Sequence, residues 1–184
     1  DALDLVGVDE VGHGKRVGFM AAECARVLPL SDDARIKLFH AALLHDCGVS
    51  STRVHQHLVE EMEWNQADIH ARVGHDLLLT FQALAPLAPV VRYHHTRWET
   101  LKQLELAAED ALFSNLIFLV DRVDSLMAPH YGKDLLLANK EVRERISECR
   151  GTLFAPELVD AFLQASSAEA FWLSLESPHL EHYL

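Results

Sequence analysis

His45 and Asp46 stand side by side at the end of an apolar run, Ala41-Ala42-Leu43-Leu44, just before Cys47-Gly48. On a helix, adjacent side chains diverge by about 100°, so an imidazole and a carboxylate can reach one point from different angles. Such a pair supports two chemistries. The carboxylate can bridge two metal ions while the imidazole binds one, or the histidine can sit in the core salt-bridged to its neighbour. The pair is not isolated. His13 precedes Gly14-Lys15-Arg16-Val17, and His70 opens His70-Ala71-Arg72-Val73-Gly74. His94 and His95 form a doublet after Val90-Val91, and Asp121 interrupts the run Leu116 to Val120. A carboxylate in an apolar helix is costly unless it is paired or metal-bound. Each residue has an ordinary explanation alone. The whole set, spread over separate helices, points to a centre holding at least two metals.

The elements that must carry these residues are helices. Apolar residues recur at helical spacing almost throughout, and no stretch alternates cleanly like a strand. The pattern predicts helices from about Asp9 to Val27, from a Ser31 cap to about Cys47 with Gly48 as the stop, and over His55 to Glu63. Further helices are expected from an Asn65 cap to Ala83, through Val90 and Val91 to His95, and from Ala107 to Met127. Asp134 to Arg150, Pro156 to Gln164 and a short segment behind a Ser166–Glu169 capping box complete the set. Thr96 to Leu106 is polar and reads as a loop. The fold class expected is all-α, a single helical bundle spanning 1–184. The chain starts at Asp1 without a methionine, so it reads as part of a longer polypeptide.

Bulk composition narrows the partners. The formal net charge of -12 argues against nucleic-acid polymers and anionic membranes, which need a basic surface. A small phosphorylated ligand stays compatible, because a metal can supply local positive charge. The longest apolar run, Ala111 to Val120, is too short to span a bilayer. The 3 cysteines, Cys24, Cys47 and Cys149, are far apart, which fits a reduced cytoplasmic setting. Of the 12 histidines, His40, His75, His130, His179 and His182 read as surface or core residues. His75-Asp76 repeats the dipeptide of the centre but lacks partners elsewhere.

The order His, His-Asp, His, His-His, Asp resembles the HD superfamily of metal-dependent phosphohydrolases, and within it the HD-GYP subgroup. The stretches that carry the resemblance are His13 to Val17, Leu43 to Gly48, His70 to Gly74, His94 to Glu99 and Val120 to Leu126. A late stretch, Gly151 to Val159, is similar to the family's Gly-x-x-Phe-Asp-Pro-x-Leu-Val. The resemblance implies an HD-type bundle around two or three divalent ions, iron or manganese, with zinc as an alternative. It implies His13, His45, Asp46, His70, His94, His95 and Asp121 as ligands, with Asp46 bridging two ions and positioning the attacking hydroxide. A third ion would use Asp9, four residues before His13, with Glu10 as its competitor.

The activity implied is hydrolysis of cyclic di-GMP to pGpG or GMP. Arg97, Lys102 and Arg53 are candidate phosphate contacts, and His55 and His57 lie near the expected opening. Trp98 matches a family position and could close over a base or pack in the core. The chain departs from the subgroup where substrate should lie. Val49 replaces a lysine, Thr96 and Glu99 replace Glu and Asp, Ala155 replaces an Asp, and the Gly-Tyr-Pro loop is missing. These losses leave a second reading, a metal-binding signalling module that docks a protein partner or an upstream domain without turnover. Hydrolysis of other nucleotides and di-iron oxygenase chemistry rank below both.

Overall fold

The computed structural model describes residues 12–49, 67–176 and 180, and among them the regular structure is helical. Helix α1 covers His13–Val27 and α2 covers Asp32–Leu44. Helix α3 is Ala67–Leu79, α4 is Ala88–Arg92 and α5 is Trp98–Leu101. The long α6 runs Ala108–Met127, followed by α7, Leu135–Glu148, α8, Pro156–Ala165, and α9, Glu169–Leu175. Asp9, Glu10, Arg53, His55, His57, Asn65, His179 and His182 lie outside the described residues, as does the helix expected over His55 to Glu63.

Helix α6 is the axis of the fold. It packs against α1, α4, α7 and α8, while α1 also contacts α2 and α9. Phe113, Leu116, Ile117, Leu119, Val120 and Val123 of α6 are fully buried. Burying that much apolar surface, at roughly 25 cal/mol per Å2, is what holds so many polar groups inside the same helix. Asn115 is one of them. Its Nδ2 donates to Leu153 O at 2.8 Å and its Oδ1 accepts from Ala155 N at 2.8 Å, stapling the turn before α8 to α6.

Several local expectations meet the structure. Ser31 caps α2 by accepting from Ala34 N at 3.2 Å. The helix expected from Asp9 begins instead at His13, because Gly12 takes a φ of 115°, a left-handed turn open mainly to glycine. Helix α2 stops at Leu44, so His45 to Gly48 form the turn that follows it. Thr96 to Leu106 contains the short α5, held by Trp98 N donating to Leu153 O and Glu99 N to Thr152 O. The Ser166 capping box does not form. Ala168 is the residue before α9, while the Ser166 hydroxyl accepts from Arg143 and its carbonyl accepts from Trp172 Nε1.

Candidate metal centre

Five segments converge on one buried region. His13 is the first residue of α1, His45 and Asp46 form the turn after α2, and His70 lies on α3. His94 and His95 follow α4, and Asp121 lies in the middle of α6. Two groups result: Asp46, His70, His94 and His95, and His13, His45 and Asp121. Asp46 faces both. Its Oδ1 is 3.2 Å from His70 Nε2 and 3.6 Å from His94 Nε2, and its Oδ2 is 3.5 Å from His45 Nε2 and 3.8 Å from His13 Nε2. The side chains of Asp46 and His95 keep 19% and 11% exposure, the most among these seven residues.

The donor chemistry fits metal. His45 Nδ1 donates to Ala42 O at 2.8 Å and His94 Nδ1 to Val91 O at 2.6 Å. His13 Nδ1 donates to Asp124 Oδ2 at 2.7 Å. Each outward bond puts a proton on Nδ1 and turns the Nε2 lone pair inward. Those lone pairs face other nitrogens: His13 and His45 Nε2 are 3.3 Å apart, His70 and His94 Nε2 3.2 Å, and His95 and His70 Nε2 3.1 Å. Facing lone pairs repel unless a proton or cation lies between them. Two donors each about 2.1 Å from a shared ion, at ordinary coordination angles, are about 3.0–3.4 Å apart.

The charges around the centre are fixed by partners. Burial works against ionising Asp121, yet the Arg122 guanidinium beside it holds its carboxyl well below the usual range. Arg122 Nη2 donates to Asp121 Oδ2 at 2.7 Å, leaving Oδ1 3.3 Å from His13 Nε2. Burial also lowers His45 and His95. His13 goes the other way. Burial would lower it, but hydrogen bonds to Asp121 and Asp124 raise it to about 10. His13 is thus held as a cation between two carboxylates, and a metal bound at its Nε2 would have to displace a proton. Metal affinity of the His13 group is expected to rise, by up to about tenfold per pH unit, until about pH 10. Calorimetric titration with manganese in buffers of different ionisation enthalpy reads the released proton directly. Metal uptake with no proton release at pH 7 would contradict this account.

Asp124 was missed as a member of the site. It is fully buried and accepts from His13 Nδ1, from Arg16 Nε at 2.6 Å and from the Tyr131 hydroxyl at 2.5 Å. The signal was present, because Asp124 lies three residues after Asp121 on the same apolar helix and so shares its face. Among the described histidines outside the centre, His75 Nδ1 bonds the neighbouring, exposed Asp76 at 2.8 Å. Arg97 and Lys102, at the two ends of α5, are exposed.

The chain belongs to the HD domain family, whose model matches residues 11–126. A relative from Vibrio cholerae, 3'3'-cGAMP-specific phosphodiesterase 1, is 38% identical over 184 residues, covering 98% of this chain and 43% of its own length. The 3'3'-cGAMP-specific phosphodiesterase 3 of the same organism is 34% identical over 90 residues, 47% of this chain and 20% of its own length. A crystal structure of a cyclic GMP-AMP specific phosphodiesterase from V. cholerae superposes with a TM-score of 0.70 at 19% identity, over 99% of this chain and 50% of that one. That likeness establishes the fold. The chain therefore spans half or less of the length of these relatives. Among the described residues no helix is long and apolar enough to cross a membrane.

Proposed function

We propose that this chain is the catalytic domain of a metal-dependent phosphodiesterase that opens a 3',3'-cyclic dinucleotide. The observation that carries this reading is Asp46, whose two oxygens face two separate nitrogen-rich groups. Such a carboxylate suits a pair of divalent ions rather than one. His13, His45, Asp46, His70, His94, His95 and Asp121 would hold the pair, and imidazole with carboxylate suits iron or manganese, with zinc as an alternative. Bound there, the ions supply a water of lowered pKa and positive charge against a phosphate. The chain's own part is orientation. Carbonyls and Asp124 aim the imidazoles, and Arg122 keeps Asp121 ionised. Arg97, Lys102 and Arg53 offer positive charge to the remaining phosphate of the substrate. A third ion through Asp9 stays part of this proposal.

The HD-GYP assignment within the family rests on the doublet His94–His95 and the run Val120 to Leu126. The substrate we favour is 3'3'-cGAMP, because the relative matching nearly all of this chain is named for it. Cyclic di-GMP, the HD-GYP substrate, is the comparison. A specific observation supports the second reading, a metal-binding module without turnover: Val49 stands where the subgroup has lysine. Protein purified without oxygen, with its metals counted, is assayed on both dinucleotides. Faster conversion of 3'3'-cGAMP to a linear product supports the proposal. Two metals with no turnover on either substrate would move the assignment to the binding module.

A further inference from the structure

His70 is held differently from His13, His45 and His94. His45 and His94 are anchored by backbone carbonyls and His13 by Asp124. His70 Nδ1 is buried and has no hydrogen-bond partner among the described residues. No outer bond aims this ring, so its position follows the backbone of α3. That backbone rests on Gly48. A Cβ added at Gly48 would lie 2.0 Å from His70 O and 2.3 Å from Gly74 N. These two atoms are the i, i+4 pair of a single helical turn, so Gly48 sits directly on the turn that carries His70. Gly74 completes the contact from the α3 side, where a Cβ would be 3.0 Å from Val91 Cγ1, 3.3 Å from Cys47 Sγ and 3.4 Å from Gly48 N. Gly48 does not have the positive φ of Gly12, Gly132 and Gly151. Close approach, rather than an unusual dihedral or a helix stop, is what demands glycine here.

We propose that Gly48 and Gly74 are positioning residues: their bare Cα faces fix the distance between the His45–Asp46 turn and α3, and so hold His70 at ligand distance from Asp46 and His94. The inference rests on the metal-centre reading above. It predicts a selective defect, because α3 brings His70 to one group and nothing to the other.

The test starts from metal-free wild type and titrates manganese alone. Wild type should take up two ions. Gly48→Ala should keep one and bind the second at least about tenfold more weakly, as His70→Ala also should. Gly74→Ala needs its neighbours to give only a few tenths of an ångström, so its second ion should weaken less. Adding Val91→Ala makes room for the new methyl and should restore it. Crystals of the metal-free variants should show the His70 Nε2 to Asp46 Oδ1 separation lengthened from 3.2 Å. A folded Gly48→Ala protein that binds two ions with wild-type affinity would overturn the inference and leave the metal centre standing. If Gly48→Ala does not fold, equal weakening of both ions in Gly74→Ala overturns it. If wild type takes up no manganese, the metal reading fails separately, and the measured separation still decides the positioning role.

Discussion

Asp46→Ala is expected to empty both halves of the proposed metal centre and to abolish the proposed turnover in a single substitution. The reason is geometric. Asp46 Oδ1 lies 3.2 Å from His70 Nε2, and its Oδ2 lies 3.5 Å from His45 Nε2. Each remaining group keeps nitrogen donors that face one another at 3.1–3.3 Å. Without the shared negative charge between them, those donors gain less from a cation. His70→Ala should weaken one group and His13→Ala the other, whereas Asp46→Ala weakens both. Loss of the ions removes several kcal/mol of transition-state stabilisation, so kcat/KM should fall by about 1,000-fold or more. Stability reports the same event independently. An ion present at a hundred times its Kd stabilises the fold by about 2.7 kcal/mol, so added manganese should raise the Tm of wild type and leave that of Asp46→Ala unchanged. Elemental analysis and a melting curve suffice. An alanine variant that still carries two ions would refute the shared-carboxylate arrangement.

The second large effect concerns Asp124, which bonds the outer nitrogen of His13. It is fully buried and accepts hydrogen bonds from Arg16, His13 and Tyr131, and the Arg16 guanidinium also lies 4.6 Å from the centroid of the Tyr131 ring. Removing the carboxylate takes from the buried Arg16 guanidinium its ion pair with Asp124. Breaking a buried pair in this way costs about 3–5 kcal/mol. Asp124→Ala should therefore lose that much unfolding free energy in the metal-free protein, read by urea denaturation. It should also weaken the His13 group for metal by about 10- to 100-fold, because the ring loses the bond that aims it. Acid adds a signature. Burial opposes ionisation of Asp124, but the His13 and Arg16 hydrogen bonds hold its carboxyl far below the ordinary range. A depressed folded-state pKa contributes stability that is complete above about pH 3.9 and is lost as pH falls below it. Asp124→Asn should remove that part of the acid dependence. A loss under about 1 kcal/mol, with the acid profile unchanged, would contradict this role, since it would match a single neutral hydrogen bond.

Much of this centre is legible in the chain because polar groups are expensive inside apolar helices. Asp121 in its run of leucine, isoleucine, phenylalanine and valine, and His45 after Ala41 to Leu44, stand out for that reason. Helical spacing likewise located α2, α6 and α8 to within a few residues, since apolar periodicity is a local property. Local rules failed where a distant partner competes. α5 forms within a polar stretch because Thr152 and Leu153 supply acceptors, and Ser166 leaves its capping role to meet Arg143 and Trp172. Asp124 was legible as a buried carboxylate, but its four donors come from 7 to 111 residues away.

The sequence by itself determined which residue types are available to bind a cation, the order in which helices deliver them, and the acidic charge balance of the chain. The tertiary structure alone decided how they are divided: that Asp46 turns one oxygen to each group, that Asp124 rather than a carbonyl aims His13, and that Gly48 lies on the turn of α3 carrying His70. Those facts depend on contacts at close range between segments far apart in the chain. Such contacts follow from packing the whole core, and no pattern within a single helix encodes them.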